Sequence, residues 1–429
     1  MHDIRYIRQN PDDFKKAMTR RGLDVDVNEI LNMDDEKRNL TTKLDNMRRE
    51  RNEVSKQIGM KRKAGEKSDD LETAMRELGQ EVKAGEERER QLDADTRLWL
   101  QKLPNIPADS TPEGLTEKEN VVERFWGEMP EYDFEVKSHL DVAERLGILD
   151  FQRGGKITGS GFPVWSGAGA RLERALINFM LHVQTREHGY REMMTPFLAN
   201  RESMLGSGQI PKLEDDMYCC ERDDLFLIPT SEVALVNMHR GEILKEDQLP
   251  IKYVAYSPCF RREGGSYGQM TRGFLRTHQF NKVEMVRFEH PDNSEAVWLE
   301  MTGHAEEIIR RLDLHYRVVH LCAGDISFNA AECYDLEVYA PADGGKWLEV
   351  SSITNCRDFQ ARRANIRFKP KGGKAQYPHI LNGSGLATSR IMVALLETYQ
   401  TEEGSVIIPP VLRPFMDGET VITGKDKGK

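Results

Sequence analysis

Two runs of heptad spacing near the N-terminus constrain the fold more than any other feature of the chain. In the first run, apolar or long side chains recur at steps of three and four residues, at Ile30, Met33, Lys37, Leu40, Leu44, Met47, Arg51, Val54, Ile58 and Lys61. The second run repeats this spacing at Leu71, Met75, Leu78, Val82, Gly85, Glu89, Leu92, Thr96 and Trp99. The pattern predicts two helices of about 30 residues each, joined at 64–68 into an antiparallel hairpin roughly 45 Å long.

The two predicted helices carry opposite charge. Residues 36–67 hold 11 Lys and Arg against 5 Asp and Glu, whereas residues 68–100 hold 5 against 10. We expect the helices to pair through this difference and to leave basic side chains available to an acidic partner. The candidates are Arg48, Arg49, Arg51, Lys56, Lys61, Arg62 and Lys63. From charge alone, an ordinary solvated helix face remains an open alternative.

Composition excludes several classes of protein. The formal net charge of the 429 residues is −10, which argues against a protein that coats nucleic acid by net charge alone. The longest apolar stretches, such as Leu225–Ile228, are far shorter than a membrane-spanning helix, so we expect a soluble protein with no membrane partner. The N-terminal segment is acidic and has no apolar h-region, which favours a cytoplasmic location. The six cysteines form no CxxC pair, so neither a zinc ribbon nor a disulfide scaffold is indicated.

Prolines mark the end of the hairpin. They lie at positions 104, 107 and 112 and predict a linker. We therefore divide the chain into an N-terminal domain at 1–103, a linker at 104–120 and a second domain at 121–429.

The second domain shows a different pattern, in which short strands are interspersed with helices. Examples are the predicted strands Tyr253–Tyr256 and Val283–Phe288 and the predicted helices Ala170–Glu187 and Val297–Arg311. No βαβ repeat or dinucleotide-binding fingerprint is found. The sequence therefore predicts an α+β domain with a largely antiparallel sheet.

The segment Cys259–Phe288 is the most informative for chemistry. It is typical of a strand, a glycine-rich turn and a returning strand, with arginines about the turn at Arg261, Arg262, Arg272 and Arg276. Guanidinium groups suit polyphosphate because they offer paired donors and stay charged, although most arginines on a hairpin are simply solvated. Phe280, Lys282 and Glu284 share one face of the returning strand. Phe280 and Glu284 are then about 13 Å apart at ~3.3 Å per residue, the length of a nucleotide joined to a small amine.

Further polar groups lie in two other segments. Thr230 and Ser231 precede a predicted helix with Glu232 in its first turn, a pattern that is also typical of a simple helix cap. Another segment predicts a β-hairpin that turns near 343–344, and its strands carry Glu337 and Glu349. Paired carboxylates near polyphosphate suggest Mg²⁺.

The sequence also makes two local structural predictions, one about a strand and one about a helix start. If Glu349 and Ser352 both reach one metal, the strand must break or bulge near Ser351, because strict alternation places them on opposite faces. Gly383 and Gly385 are predicted at a helix start where a backbone could approach a ligand, with Arg390 about one turn inside that helix. A glycine-rich helix start more often reflects packing.

Together these segments resemble the seryl-tRNA synthetases, a family within the class II aminoacyl-tRNA synthetases, over essentially the whole chain. The hairpin resembles their tRNA-binding arm, and Gly167–Pro196 resembles motif 1, which builds the homodimer interface in the family. Motif 2 is matched by Phe260–Glu284, and motif 3 by the sequence NGSGLATSR with the helix that follows it. The triplets at Thr230–Glu232 and Asn382–Ser384 resemble the serine-site signatures.

The resemblance implies both a fold and a reaction. The implied fold is an antiparallel two-helix coiled-coil arm followed by a class II catalytic domain. Serine would attack the α-phosphate of ATP to give seryl-adenylate and pyrophosphate, and the 3′ end of tRNA(Ser) would then accept the seryl group. The family also uses Mg²⁺, forms homodimers and, where the source makes it, charges tRNA(Sec).

The resemblance also assigns roles to particular residues, carried over by position. Catalytic roles are implied for Arg261, Glu263 and Arg390. ATP binding is implied for Arg261, Arg262, Glu263, Arg276, Thr277, Phe280, Glu349, Val350, Ser351, Ser352 and Arg390. Serine binding is implied for Thr230, Ser231, Glu232, Arg261, Glu284, Asn382 and Ser384. Mg²⁺ binding is implied for Glu349 and Ser352. Which residue binds the serine amino group and which its hydroxyl group stays open.

Three alternatives remain beside this interpretation. A catalytically silent RNA-binding homologue would be expected to have lost ATP or metal residues, and all of them are present in the sequence. A ligase that serves a carrier protein would be expected to lack or remodel the arm. A paralogue that confers resistance to a serine-mimicking inhibitor would share every motif.

Overall fold

The computed structural model of the protein describes residues 1–264 and 274–424. Arg272, one of the four arginines predicted about the turn, lies outside the described residues. The chain divides into two compact units, Met1–Pro104 and a second unit that begins at Asn105. Within the described ranges, no helix is long and apolar enough to cross a membrane.

The first unit is helical. Its helices are α1 Ile4–Gln9, α2 Pro11–Arg20, α3 Val27–Ala64 and α4 Asp69–Gln101. The 38 residues of α3 and the 33 residues of α4 correspond to about 57 and 50 Å at ~1.5 Å per residue, so both exceed the predicted length. Gly65 ends α3 with a φ of +73°, a left-handed conformation that glycine adopts without steric cost. The predicted hairpin is confirmed, and we call α3 and α4 the helical arm.

A thin apolar seam joins the two arm helices. Leu44, Met47 and Val82 are buried together, with Leu40 and Leu78 packed against them. A Cβ atom at Gly85 would lie 2.6 Å from Cδ2 of Leu44, so the glycine leaves room for the leucine side chain. The seam does not extend to the predicted position 61, where the lysine is exposed.

Ion pairs cross the arm as the opposite charges predicted. The guanidinium of Arg48 lies 2.9 Å from the carboxylate of Glu86, and that of Arg62 lies 2.9 Å from Glu72. A further pair joins Arg88 to Glu36 at 2.7 Å. Lys56 pairs with Glu53 of its own helix. The remaining candidates have no ion pair within the described ranges: Arg49, Arg51, Lys61 and Lys63.

The second unit combines helices with a large sheet. Its helices are α5 His139–Leu146, α6 Phe151–Ile157, α7 Ala168–Arg186, α8 Arg201–Ser207, α9 Glu232–Asn237, α10 Ser294–Arg311, α11 Phe359–Arg363 and α12 Thr388–Thr398. Its strands are β1 Val121–Trp126, β2 Leu149–Asp150, β3 Val164–Trp165, β4 Arg191–Glu192, β5 Leu198–Asn200, β6 Cys219–Cys220, β7 Leu225–Leu227, β8 Ile243–Lys245, β9 Ile251–Phe260, β10 Gln279–Glu289, β11 Tyr316–His320, β12 Glu332–Ala340, β13 Lys346–Asn355, β14 Arg367–Lys369, β15 His379–Ala387, β16 Val406–Ile407 and β17 Val421–Ile422.

The large sheet has the strand order β1-β11-β12-β13-β15-β10-β9-β4 in the described part of the chain. All of its neighbouring pairs are antiparallel except β4 with β9. The predicted α+β class with a largely antiparallel sheet is confirmed. Because β10 lies between β9 and β15, its side chains alternate between two environments: Val283 and Met285 pack into the main core, while Phe280, Lys282 and Glu284 face the other side.

The first residues of the second unit are bonded to it rather than free. Asn105 donates side-chain hydrogen bonds to the carbonyl oxygens of Asn329 and Cys356, both at 2.9 Å. The backbone N–H of Ala108 donates to Ala331 at 2.8 Å. The proline-bearing segment is therefore held in place by its backbone and amide partners.

Two local predictions about strands and glycines have different outcomes. The register between β12 and β13 shifts so that Leu336 pairs with Ser351 and Glu337 with Glu349, which leaves Val350 as an extra residue. The predicted bulge beside Ser351 is confirmed. The prediction that Gly383 and Gly385 begin a helix is wrong, because both lie within β15.

The two glycines are required by the close packing of β15 against a neighbouring strand and a helix. A Cβ at Gly383 would lie 3.0 Å from Cγ1 of Ile353 on β13. A Cβ at Gly385 would lie 3.1 Å from the amide nitrogen of Gln184 on α7. These glycines therefore serve the contact between β15 and its neighbours, while the helix α12 begins at Thr388.

Candidate active site

A cleft of about 660 Å³ opens on the second unit, above the even-numbered face of β10. It is bordered by α9, β13, β15 and the start of α12. We call this space the cleft. Most of the predicted site residues line it, and they are Thr230, Glu232, Arg261, Glu263, Arg276, Thr277, Phe280, Glu284, Glu349, Val350, Ser352, Asn382, Ser384 and Arg390.

Three of the predicted site residues do not line the cleft. Ser231 is fully buried, and its hydroxyl lies 2.9 Å from that of Ser257. Ser351 donates to the backbone carbonyl of Ser384 at 2.5 Å. The guanidinium of Arg262 is directed at the backbone carbonyl of Asp215, at 3.4 Å.

Glu337 is one of the two carboxylates that the sequence predicts near a metal. Its carboxylate instead accepts a hydrogen bond from Arg317 of β11, at 2.5 Å, and it does not line the cleft. The pairing of Glu337 with Glu349 along the hairpin therefore does not produce two carboxylates in one site.

Arginine and aromatic groups meet where β9 and β10 approach the turn. The guanidinium carbon of Arg261 lies 5.2 Å from the centre of the Phe280 ring, within the range of a cation–π contact. Arg276 donates to the carboxylate of Glu263 at 2.6 Å. Glu263 has a φ of +52°, which is uncommon for a residue other than glycine and turns the chain away from the strand. This part of the cleft offers a flat apolar ring beside several fixed donors.

A second polar group is formed by β13 and α12. Arg390, in the first turn of α12, donates to the backbone carbonyl of Glu349 at 2.8 Å and to its carboxylate at 3.1 Å. Ser352 follows the bulge, and its hydroxyl lies 3.0 Å from the Cys333 thiol. The bulge is what allows Glu349 and Ser352 to line the same cleft.

The opposite part of the cleft holds two buried carboxylates and a buried ammonium. Glu232, Glu284 and Lys282 are 8%, 2% and 7% exposed. Lys282 forms an ion pair with Glu284 and donates to the Thr230 hydroxyl at 2.9 Å. Glu232 accepts from the side chains of Gln360 and Asn382, the latter at 3.2 Å.

Burial shifts the acidity of one of these carboxyl groups. Desolvation, together with the negative charge of Glu284, raises the pKa of Glu232 to about 7. The hydrogen bond from Gln360 and the positive charges of Lys282 and Arg261 oppose this rise. A carboxyl group that titrates near neutrality in a cleft is typical of a functional site.

Sequence reasoning assigned no role to two residues of this region. Lys282 was placed on the correct strand face by its spacing from Phe280 and Glu284, and that signal could have identified it. Gln360 lies on α11, in a segment with no motif of its own, and reaches Glu232 only through the tertiary fold.

Comparison with known proteins defines the class first. Residues 217–399 match a family model for the tRNA synthetase class II core domain (G, H, P, S and T). The fold and cleft thus belong to a class II aminoacyl-tRNA synthetase core. Residues 1–107 match a model for the seryl-tRNA synthetase N-terminal domain.

Full-length relatives narrow the class to one family. A serine–tRNA ligase of Chlorobaculum parvum is 50% identical over 97% of this chain and 98% of its own length, and that of Citrifermentans bemidjiense is 49% identical over 97% and 99%. The solved structure of seryl-tRNA synthetase from Pyrococcus horikoshii complexed with ATP has a TM-score of 0.92 at 37% identity, covering 99% of this chain and all of that one. The chain belongs to the seryl-tRNA synthetase family.

Proposed function

We propose that the protein is a serine–tRNA ligase that acts in two steps. In the first, the carboxylate of L-serine attacks the α-phosphate of ATP to form seryl-adenylate, and pyrophosphate leaves. In the second, a terminal hydroxyl of tRNA(Ser) attacks the seryl carbonyl and AMP leaves. The observation that carries the proposal is that Phe280, Lys282 and Glu284 line one cleft from the same strand face, so a ring site and a charged pocket lie end to end.

Catalysis in such a site would depend on positioning and on charge, since no covalent bond forms between the protein and the substrate in either step. Phe280 would stack on adenine, and Arg261 would contact the α-phosphate, where negative charge builds up during attack. Glu263 would contact the adenine region, and Arg390 would meet the γ-phosphate. The Pyrococcus horikoshii seryl-tRNA synthetase, solved in complex with ATP, supports nucleotide binding by this fold.

The donors on β13 fit Mg²⁺. Glu349 and Ser352 offer a carboxylate and a hydroxyl oxygen, which are the ligand types that Mg²⁺ prefers. Among the described residues, no group of three or more His, Cys, Asp and Glu side chains is arranged to hold a metal ion. A Mg²⁺ ion with two protein ligands is common where waters and substrate phosphates complete the shell. When bound, it would neutralise phosphate charge.

The charged pocket would select serine. Thr230, Glu232, Glu284 and Ser384 surround the part of the cleft where a small amino acid would lie. A buried partner for the substrate hydroxyl rejects alanine, because the polar groups of the pocket would be left unpaired. Lack of space rejects threonine, whose additional methyl group costs about 1–3 kcal/mol to accommodate.

The helical arm would bind the tRNA. Basic side chains without an ion-pair partner in the described ranges, such as Arg49 and Lys63, are suited to the phosphates of the long variable arm of tRNA(Ser). We expect a homodimer built on the motif 1 region, and tRNA(Sec) as a second substrate where the source makes it. The reaction would take place in the cytoplasm, where tRNA is charged for translation.

Serine-dependent exchange of pyrophosphate into ATP tests the first step directly. We expect exchange with serine, weak exchange with threonine and none with alanine. Absence of exchange with serine, or equal exchange with alanine, would reject the assignment. Sedimentation of the purified protein would test the homodimer separately.

A further inference from the structure

Lys282 occupies an unusual place for a lysine. Its side chain is buried on the cleft face of β10, two residues from Glu284, and its ammonium contacts both the Glu284 carboxylate and the Thr230 hydroxyl. A buried ammonium is costly unless it is paired and hydrogen-bonded. Both of its partners here are residues to which the proposed function gives contact with serine.

The hydrogen bonds of Thr230 determine what its hydroxyl can do. The oxygen accepts from Lys282 at 2.9 Å and from the backbone N–H of Glu232 at 3.3 Å. A hydroxyl oxygen has two lone pairs and one hydrogen, so these two bonds use its accepting capacity. The hydroxyl of Thr230 is thereby left to donate into the cleft. The Glu284 carboxylate can only accept.

The balance of charge in the pocket also gives Lys282 a role. Glu232 and Glu284 bring two carboxylates, and Lys282 offsets one of them. One uncompensated carboxylate then remains for the ammonium of an amino acid substrate, while Arg261 lies in the same cleft for its carboxylate. Without the lysine, two buried carboxylates would repel each other beside a single substrate ammonium.

We infer that Lys282 is a positioning residue that sets the serine specificity of the cleft, by holding Thr230 as a hydrogen-bond donor and Glu284 as an acceptor. A substrate hydroxyl both donates and accepts, so it matches this pair of groups. A methyl group can neither accept a hydrogen bond from Thr230 nor donate one to Glu284. The inference rests on the proposed function and deepens it by naming what selects the hydroxyl.

The first test compares K282M with the wild type in pyrophosphate exchange. We expect the KM for serine to rise about tenfold and the ratio of kcat/KM for serine to that for alanine to fall by a similar factor. The KM for ATP should stay within about twofold, since the side-chain partners of Lys282 in the described ranges, Thr230 and Glu284, belong to the proposed serine pocket. The matched control is K252M on the neighbouring strand β9, where the lysine pairs with Glu300 outside the cleft. Its loss should leave the KM for serine and the serine-to-alanine ratio unchanged.

The pH profile of serine use should also depend on Lys282. The charged and titratable groups around Glu232 are Lys282, Arg261, Glu284 and the Cys356 thiol. The positive charge of Lys282 lowers the pKa of Glu232, so the acidic limb of serine use should move to higher pH in K282M. K282R keeps the charge and should return that limb toward the wild-type position.

A double-mutant cycle separates this role from simple support of the strand. In an E284Q background, K282M should lower the serine-to-alanine ratio by a smaller factor than it does in the wild type, because only the contact of the lysine with Thr230 is left to lose. If K282M does not fold, K282R supplies the second test: it keeps the charge but changes the donor geometry toward Thr230 and Glu284, so the same ratio should fall, and a K282R protein with the wild-type ratio would overturn the inference.

Two outcomes with K282M would overturn the inference. One is a K282M protein whose serine KM and serine-to-alanine ratio match the wild type. The other is an equal loss of serine and ATP use together with a lower melting temperature, in wild-type and E284Q backgrounds alike, which would make the lysine structural. Failure of the wild type to exchange with serine would instead reject the proposed function, so the two failures are distinguishable.

Discussion

The helical arm and the cleft both contain many charged side chains, but these side chains are exposed on the arm and buried in the cleft. Across the arm, the side chains of Arg48 and Glu86 are 38% and 44% exposed. In the cleft, those of Lys282 and Glu284 are 9% and 3% exposed. An exposed ion pair contributes only about 0–1 kcal/mol, whereas removal of one partner of a buried pair costs about 3–5 kcal/mol.

This difference determines what a substitution reports in each region. On the arm, loss of one charge should leave the fold intact and change only what the surface attracts. In the cleft, loss of one charge leaves another buried group unpaired and should change the chemistry. The two regions should therefore be separable by experiment, and the following predictions test that separation.

Removal of the arm should have the largest effect. Replacing Met33–Trp99 by a short loop is expected to lower transfer of serine to tRNA(Ser) by about 10³-fold or more, because phosphate contacts supply much of the affinity for RNA. Serine-dependent pyrophosphate exchange should stay largely intact, since every residue of the cleft belongs to the second unit. Both activities are measured on the same preparation. An equal loss of the two would show that the hairpin is needed for the catalytic unit itself.

Removal of one buried carboxylate should have the next largest effect. Glu284→Ala is expected to lower kcat/KM for serine about 10²-fold, because the substrate loses a charged hydrogen-bond acceptor and Lys282 loses its partner. The KM for ATP should change little. Glu337→Ala is the matched control, since its carboxylate pairs with Arg317 and does not line the cleft. A Glu284→Ala protein that uses serine normally would remove this residue from the pocket.

The pH dependence of serine use should follow Glu232. Burial and Glu284 raise the pKa of this carboxyl group to about 7. In the proposed function, only its ionised form would attract the serine ammonium. Serine use should therefore fall as the pH drops below about 7, by up to about tenfold per pH unit well below the pKa. The measurement is kcat/KM for serine in exchange assays from pH 5.5 to 8.5, pH values that bracket this pKa by about 1.5 units on either side. A Glu232→Gln protein should lack this limb, and a wild-type limb centred below pH 5 would contradict the assignment.

How much of the molecule the sequence could reveal also differs between the two regions. The arm is local: heptad spacing and opposite charges predicted its helices and their pairing, and α3 ends at Gly65, within the predicted connection at 64–68. Its length was underestimated, since α3 extends beyond both ends of the predicted seam, from Val27 to Ala64.

The cleft depends on contacts between distant segments. The spacing along β10 placed Phe280, Lys282 and Glu284 on one face, and the bulge beside Ser351 followed from the need to bring two oxygens together. The position of Gln360 against Glu232, 128 residues away, could not be predicted from local pattern. Gly383 was misplaced because small residues are common both at helix starts and where strands pack closely, and only the neighbouring strand decides between them.

Single basic residues on the arm should have the smallest effects. Arg49 is exposed and has no ion pair in the described ranges, and Arg49→Ala is expected to raise the KM for tRNA only a few-fold. If its guanidinium contacts a phosphate, the slope of log affinity against log salt should fall by about 0.9. Arg97→Ala on α4 is the matched control: it removes the same charge from another exposed arginine with no ion pair in the described ranges, but on the acidic helix. The free energy of unfolding should change by less than about 0.5 kcal/mol in both proteins. Binding measured at several salt concentrations distinguishes a phosphate contact on the basic face of α3 from a dependence on the total charge of the arm. Equal effects of both substitutions would mean that tRNA affinity depends only on the total charge.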